Sequence, residues 1–220
     1  MKTAKTEKTT IDSRLRTCIV GCGGMGIEAY GILLQNGFVA DVFCEQNARK
    51  VSIFGLPVID IEEILPSDRL IFAIGSPKRK NLVKSLFANF HLSLIHRSAL
   101  VGKSSVGIGS IICANTVITE SVNIGKYCII NLGCTVSHHS EIGDFTTLCP
   151  QCCIGGNVKI GRGCFVGIGT CVSSKLEIGN GVFIGAGSVV VKDIPSNVLV
   201  YGNPARVVRK ITEEELYNLI

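Results

Sequence analysis

EIGDFTTLCPQCCIGGNVKIG, residues 141–161, carries an aliphatic residue at every sixth position. The same spacing continues in both directions without a gap. A period of six fits neither an α-helix nor a half-buried strand, and it is typical of a β-solenoid built from hexapeptides. The sixteen positions in phase are all Leu, Ile or Val: Leu100, Val106, Ile112, Ile118, Ile124, Ile130, Val136, Ile142, Leu148, Ile154, Ile160, Val166, Val172, Ile178, Ile184 and Val190.

In such a solenoid each hexapeptide forms one short strand and one turn, and three of them form a triangular coil of about eighteen residues. The coils stack about 4.8 Å apart, and residues 100–190 predict about five of them. The aliphatic residue points inward, and the position four residues later needs a small side chain. That position holds Cys128, Cys134, Cys152 and Cys164. We therefore expect these cysteines to fill corners of the core rather than to act in redox chemistry.

Composition limits the classes of function. The chain has 220 residues, 46% of them hydrophobic, and a formal net charge of +5. No apolar run reaches the roughly 18 residues of a membrane span, and the N-terminus lacks the apolar segment of a secretory signal. Residues 1–15 are expected to be a flexible tail, and the rest of the chain has no basic stripe for nucleic acid. We expect neither membrane insertion nor nucleic-acid binding.

The eleven cysteines are an odd number in a chain without an export signal, which predicts reduced thiols and a cytoplasmic location. Cys149, Cys152 and Cys153 form a CxxCC cluster. A zinc site would need a second ligand pair at suitable spacing, and the sequence offers none. No metal is expected.

The segment before the repeat predicts an α/β unit. A strand at 16–22 leads into Gly21, Gly23 and Gly26 in GxGxxG spacing, and a helix then runs to about Gln35. Strands follow in VADVFCE, ending at Glu45, in DRLIFAIG, ending at residue 75, and in HLSLIH, with a helix predicted over 76–90. This is half of a Rossmann-like unit, in which the glycines let a phosphate approach a helix N-terminus.

Two ligands and one structural alternative fit these glycines. NAD is one interpretation, but about 80 residues suit a mononucleotide such as the UDP of a sugar nucleotide better. The alternative is a tight turn without a ligand. The predicted divisions are a tail (1–15), a Rossmann-like nucleotide-sugar-binding domain (16–98), a β-helix domain (99–210) and a C-terminal helix (211–220).

The chain from about residue 17 resembles the sialic acid O-acetyltransferase-like family of sugar acetyltransferases. Five segments carry the resemblance: IVGCGGMG (19–26), FAIGSPKRK (72–80), NLGCTVSHHSEIGDF (131–145), GGNVKIG (155–161) and VVVKDIPSNVLVYGNPARVVRKI (189–211). Members of that family N-acetylate UDP- or GDP-linked 4-amino sugars. The resemblance implies a left-handed parallel β-helix, acetyl-CoA as cosubstrate, a nucleotide-sugar acceptor and a homotrimer that binds CoA between neighbouring solenoids.

The resemblance also implies a catalytic base, His138, four residues before an Ile-Gly pair. The family commonly has an acidic residue next, where this chain has His139. The residues agree, since these histidines follow the inward Val136 by two and three positions and at least one should point outward. Gly156, eighteen residues after His138, should lie at the same corner one coil further on. A metal at the histidine pair would need a third histidine at suitable spacing, and none is found.

The remaining site residues are implied by resemblance alone. Asn131 is expected near the acceptor. The pantetheine arm of CoA is expected along Thr147, Ile168 and Ala186, the last two through their backbone. The nucleotide is expected at Gly23, Gly24, Met25, Glu45, Gln46 and Gly75.

Three functions remain open at this stage. The first is acetyl-CoA-dependent N-acetylation of a nucleotide-linked amino sugar, with a histidine as general base. The second is O-acetylation of a sialic acid or another sugar hydroxyl. The third is a non-catalytic binding or scaffold protein. Substitution of His138 separates the enzymes from the scaffold, and acceptor profiling separates the two enzymes.

Overall fold

A computed structural model describes residues 15–49, 51–76, 86 and 90–219. The predicted tail lies almost wholly outside these residues. So does most of the helix predicted over 76–90.

The N-terminal part forms a six-stranded sheet in the order β3-β4-β2-β1-β5-β6. All its pairs are parallel except β3 with β4, a hairpin that the sequence did not reveal. Strand β1 has β2 on one side and β5 on the other. The order of the strands across the sheet therefore reverses at β1. The elements are β1 (Thr17–Val20), α1 (Gly24–Gln35), β2 (Val42–Glu45), β3 (Ser52–Ile53), β4 (Leu56–Asp60), a 3-10 turn (Ile61–Glu63), β5 (Arg69–Phe72) and β6 (Phe90–His91).

The glycines between β1 and α1 have two different roles. Gly21 has a φ of 119°, and a Cβ added there would lie 2.5 Å from the Ala73 carbonyl oxygen. A Cβ added at Gly26 would lie 2.0 Å from the Gly21 carbonyl oxygen. These two glycines therefore serve the close approach of helix and strands. Cβ atoms added at Gly23 and Gly24 would meet no atom of the described residues within 4 Å, so that part of the turn is open toward them.

The rest of the chain forms a parallel β-solenoid, as predicted. Its strands lie in three sheets, here called face 1 (β7, β10, β13, β16, β19, β22, β24, β25), face 2 (β8, β11, β14, β17, β20, β23) and face 3 (β9, β12, β15, β18, β21). The strands are β7 (Leu94–Ile95), β8 (Leu100–Val101), β9 (Ser105–Val106), β10 (Ile111–Ile112), β11 (Val117–Ile118), β12 (Asn123–Ile124), β13 (Ile129–Ile130), β14 (Thr135–Val136), β15 (Glu141–Ile142), β16 (Thr147–Leu148), β17 (Cys153–Ile154), β18 (Lys159–Ile160), β19 (Phe165–Val166), β20 (Cys171–Val172), β21 (Glu177–Ile178), β22 (Phe183–Ile184), β23 (Val189–Val190), β24 (Val198–Gly202) and β25 (Ala205–Lys210).

The core of the solenoid contains the predicted residues. From Ile112 to Val190 every aliphatic residue in phase is buried, and the four predicted cysteines have no exposed surface. Burial raises the pKa of the Cys164 thiol to about 11, so this thiol stays protonated and unreactive at neutral pH.

The prediction was wrong at the first coil. Leu100 is 67% exposed, and its partner in the next coil is the outward Val117. Its neighbour Val101 pairs with Ile118 and packs against the core instead. The side from Val101 to Val106 is one residue short of a hexapeptide, which moves the inward position by one.

The solenoid begins earlier than Leu100. The predicted strand HLSLIH is divided: β6 joins the N-terminal sheet beside β5, whereas β7 pairs with β10 on face 1. The N-terminal sheet packs on this end of face 1. There the His91 imidazole bonds to the Tyr127 hydroxyl, and the Tyr127 ring stacks on Phe145 with centroids 5.2 Å apart.

The other end of face 1 is covered by the C-terminal segment. Helix α2 (Glu213–Asn218) lies within the predicted 211–220 and packs Leu216 with Ile211 against Phe183. Thr212 caps it, accepting a hydrogen bond from the backbone N–H of Glu215. No helix among the described residues has the length and hydropathy needed to cross a bilayer.

Candidate active site

Two histidines lie where face 2 turns into face 3. His138 follows β14, His139 precedes β15, and both side chains are exposed. His139 has a φ of 60°, in the left-handed region, which turns the chain at this point. We call this edge the histidine corner, and it comprises, in four successive coils, residues 119–121, 137–139, 155–157 and 173–175.

The two imidazoles contact each other directly. Nδ1 of His138 lies 3.1 Å from Nδ1 of His139, within hydrogen-bonding distance, and the rings meet edge to face with their centroids 5.3 Å apart. No other hydrogen bond to either imidazole occurs within the described part of the chain. The carboxylates near in sequence do not supply one: Glu141 lies on β15, and Asp144 accepts a hydrogen bond from the Lys126 N–H at 2.7 Å.

The His138 ring lies over Gly156, one coil further on, as the eighteen-residue spacing predicts. A Cβ added at Gly156 would come within 2.7 Å of the ring's Cε1 and 2.8 Å of its Nε2. Only glycine therefore leaves room for the imidazole in this position. The backbone also joins these coils, because the Asn157 N–H donates to the His138 carbonyl at 2.9 Å.

A further residue of this corner was not singled out from the sequence. Ser174 lies one coil beyond Gly156, and its Oγ accepts the Gly156 N–H at 3.2 Å. The Gly156 N–H therefore already has a hydrogen-bond acceptor in this conformation. Ser174 could have been found from the sequence, because two steps of eighteen residues from His138 lead to it.

The predicted nucleotide residues lie together at the carboxyl ends of β1, β2 and β5. Gly23 and Gly24 begin α1, Glu45 and Gln46 end β2, and Gly75 follows β5. The Gly21 N–H donates to the Cys44 carbonyl at 2.8 Å and so ties the first two ends together. Met25 lies in the first turn of α1 and packs partly against the core between helix and solenoid.

The predicted acceptor and CoA residues lie at another corner, where face 1 turns into face 2. This corner, here called the Asn131 corner, includes Asn131, Ile168 and Ala186. Ile168 is 55% exposed, and the side chain of Asn131 accepts the Leu132 N–H at 2.7 Å. Within one chain, one whole side of the triangular coil separates this corner from His138.

Thr147 does not lie with Ile168 and Ala186. It points outward from face 1, is 3% exposed, and donates its hydroxyl to the Gly75 carbonyl at 2.8 Å. The side chain is therefore enclosed between the solenoid and the N-terminal sheet. This contact brings the nucleotide residues next to the Asn131 corner, because the Asn131 N–H donates to Leu148, the residue after Thr147.

A groove lies elsewhere on the solenoid. It has a volume of about 700 Å³, runs along face 3, and contains none of the predicted site residues. Its floor carries a ladder of charged side chains in which Lys159 lies 3.8 Å from Glu177. Among the described residues, no group of three or more His, Cys, Asp or Glu is arranged to hold a metal ion.

The solenoid, its histidine corner and the N-terminal sheet together define a hexapeptide-repeat acyltransferase. No protein-family model matches the chain. Thirty residues are 63% identical to a Saccharomyces cerevisiae protein named "Putative acetyltransferase YJL218W", covering 14% of this chain and 15% of that protein. The chain thus spans only about 15% of the length of that relative.

Solved structures match over nearly the whole chain. GDP-perosamine N-acetyltransferase from Caulobacter crescentus, as a histidine-to-alanine variant with CoA and GDP-perosamine, has a TM-score of 0.84 and 30% identity, covering 89% of this chain and 97% of that one. The acetyltransferase domain of PglB from Neisseria gonorrhoeae has a TM-score of 0.81 and 28% identity, covering 88% and 99%. WeeI from Acinetobacter baumannii has a TM-score of 0.81 and 27% identity, covering 88% and 100%. The chain belongs to the family of hexapeptide-repeat sugar acetyltransferases.

Proposed function

We propose that this protein transfers the acetyl group of acetyl-CoA to the amino group of a nucleotide-linked amino sugar, with His138 as general base. The observation that carries the proposal is the exposed His138 imidazole, seated over Gly156 with its Nε2 free of hydrogen bonds in the described chain. The family supports it, because one member was solved with CoA and GDP-perosamine as variants in which one histidine is replaced by alanine or asparagine.

The reaction needs one group that moves a proton. The sugar nitrogen attacks the acetyl carbonyl carbon, a C–N bond forms, and Nε2 of His138 takes the proton that the nitrogen loses. The carbonyl oxygen becomes an oxyanion, for which the Gly156 N–H is the proposed donor, the oxyanion replacing the Ser174 hydroxyl as its acceptor. The C–S bond then breaks, the thiolate of CoA takes the proton from His138, and the imidazole returns to its neutral form.

The nucleotide is proposed to bind at the carboxyl ends of β1, β2 and β5. Three features support this site. The strand order reverses at β1, which is where ligands bind in open parallel sheets. The α1 N-terminus offers free N–H groups to a phosphate. Among the described residues, nothing lies within 4 Å of a Cβ added at Gly23 or Gly24. We propose that the N-terminal sheet, from β1 to β6, forms a Rossmann-like domain and that the solenoid, which begins at β7, is left-handed.

We further propose a homotrimer, with each active site shared between two chains. Ile168 and Ala186 lie at a different corner from His138, so one chain cannot bring its own CoA residues to its own histidine. A neighbouring solenoid packed against face 2 would bring one chain's Asn131 corner to another's histidine corner. Light scattering at micromolar concentration should report about three chains, whereas a fully active monomer would contradict the shared site. A cytoplasmic location remains a prediction from the sequence.

The test is an acetylation assay with acetyl-CoA and a panel of UDP-, GDP- and dTDP-linked amino sugars, followed by release of CoA thiol and mass spectrometry of the sugar. Activity on at least one amino sugar, lost with His138→Ala, is the expected result. Activity on sugar hydroxyls alone would instead support O-acetylation. No turnover of any acceptor in a trimer of normal stability would support a scaffold.

A further inference from the structure

The bond between the two imidazoles joins like atoms, His138 Nδ1 and His139 Nδ1. A neutral imidazole carries one N–H, so one of these atoms must donate and the other must accept. If His138 donates, its Nε2 keeps a free lone pair. If His139 donates, His138 carries its own proton on Nε2 and has no lone pair there. The first arrangement alone leaves His138 able to act as a base through Nε2.

We propose that His139 is a positioning residue: as a neutral imidazole it accepts the Nδ1–H of His138, selects the reactive tautomer, and holds the imidazolium formed when His138 takes a proton. The inference rests on the proposed function, since it assumes that His138 is the base. It assigns to a second histidine the orienting task that a hydrogen-bond acceptor performs for catalytic histidines in general.

The geometry supports this role because the inner side of the His138 ring and the backbone of His139 are both constrained. The His138 ring rests on Gly156, which leaves no space for another side chain between the coils. The backbone of His139 is fixed by its φ of 60° and by its N–H, which donates to the Glu120 carbonyl at 3.2 Å. The fold thus sets the positions from which the two side chains meet, with their Nδ1 atoms 3.1 Å apart.

The charged groups near the pair in the described chain include two carboxylates and one ammonium. Glu120, one coil before His138, uses its carboxylate to accept the Lys103 N–H at 3.0 Å. Glu141 lies on β15, and Lys175 lies two coils beyond His139.

This arrangement predicts a pH profile with two steps. When the pair gains one proton, His138 carries a hydrogen on Nε2 whether the charge lies on His138 or on His139. His138 can then no longer act as a base. A second proton also removes the acceptor at His139. Log(kcat/KM) should therefore fall with decreasing pH with a slope of one and then, at lower pH, with a slope of two.

Two substitutions of His139 test the role, and both residues tolerate the left-handed region. His139→Asp keeps a hydrogen-bond acceptor but no imidazole: kcat should stay within about threefold, and the acid slope should become one throughout. His139→Gly removes the acceptor: kcat should fall about 10- to 100-fold, less than the roughly 10⁴-fold seen when a donor enforces the wrong tautomer of a serine-protease histidine. KM for acetyl-CoA should not change. Equal losses in both variants would indicate a merely structural role and overturn the proposal.

A second measurement does not depend on any substrate. Nitrogen-15 NMR of histidine-labelled protein above pH 8 should show His138 protonated on Nδ1 and bare on Nε2, and His139→Gly should shift it toward the other tautomer. A His138 protonated on Nε2 in the unsubstituted protein would refute the inference. If the tautomer is as expected but no amino sugar is acetylated, the proposed function fails while the orienting bond stands.

Discussion

Gly156→Ala adds a single methyl group beneath the His138 ring and tests whether the position of that ring is needed for catalysis. The backbone at this glycine lies outside the left-handed region, so alanine can adopt it without strain. The three heavy atoms nearest to the new Cβ all belong to the His138 ring, at 2.7, 2.8 and 3.2 Å. The substitution therefore acts on the imidazole and on little else.

The size of the effect follows from these distances. Ordinary contacts begin at 3.4 Å, so the ring must move by about 0.7 Å. Catalytic groups tolerate about 0.5 Å, and a displacement of about 1 Å can cost a factor of about 10². We expect kcat to fall 10- to 100-fold. The ring is exposed and free to move outward, so the free energy of unfolding should drop by no more than about 1 kcal/mol, below the usual range for overpacked cores.

The assay is the release of CoA thiol under saturating acceptor, with Gly156→Ala, His138→Ala and the double variant measured together. If the methyl group acts through the ring, it should have no further effect once His138 is alanine, so the two losses should not add. An unchanged kcat in Gly156→Ala would refute the reasoning. So would a loss that is just as large in the background without the histidine.

Three other predictions concern parts of the chain away from this corner. Burial acts to raise the pKa of Asp68, but hydrogen bonds from Arg16 and a backbone N–H outweigh it and hold this pKa below its usual value. Asp68→Asn should therefore cost about 1.5–3 kcal/mol at pH 7 in urea denaturation. The difference in unfolding free energy between the two proteins should shrink once the pH falls below about 4, the pKa of Asp68 in the unfolded chain. It should disappear as the pH falls through the lower pKa of Asp68 in the folded protein. Gly24→Val should raise acceptor KM steeply and leave CoA binding unchanged by calorimetry, because the added side chain enters open space beside α1. Cys153 and Cys171 are the two exposed cysteines and both lie on face 2, so the proposed trimer should shield them from a thiol reagent, whereas a monomer should react at about two sites.

The hexapeptide repeat was enough to predict the solenoid because one rule holds for most of it. An aliphatic residue every six positions and a small one four later determine both the strand and the inward direction. The same rule failed at Leu100 because Leu100 and Val101 are both aliphatic. Nothing in that pair shows that the following turn is one residue short, and the pairing between coils decides which residue points inward.

The candidate site was predictable in part for the same reason. A step of eighteen residues brings His138 over Gly156 without any knowledge of side-chain torsions. The bond between His138 and His139 was not predictable, because it depends on the left-handed φ of His139 and on the orientation of both rings. The contact of Thr147 with Gly75 was also hidden, since it depends on how two separately folded parts of the chain pack.

Stacked coils restrict which side chains a solenoid corner can display. Coils separated by one strand spacing bring successive corner side chains into direct contact, so a ring at a corner can stack on a ring in the adjacent coil, as Tyr127 does on Phe145, or lie over a glycine. Tyr127 lies over Gly109, where an added Cβ would come within 2.4 Å of its ring, just as His138 lies over Gly156. Of these two rings, Tyr127 is buried against the N-terminal sheet whereas His138 is exposed. A ring that is seated on glycine and left in solvent gains little from packing, and this supports a chemical role for His138 rather than a structural one.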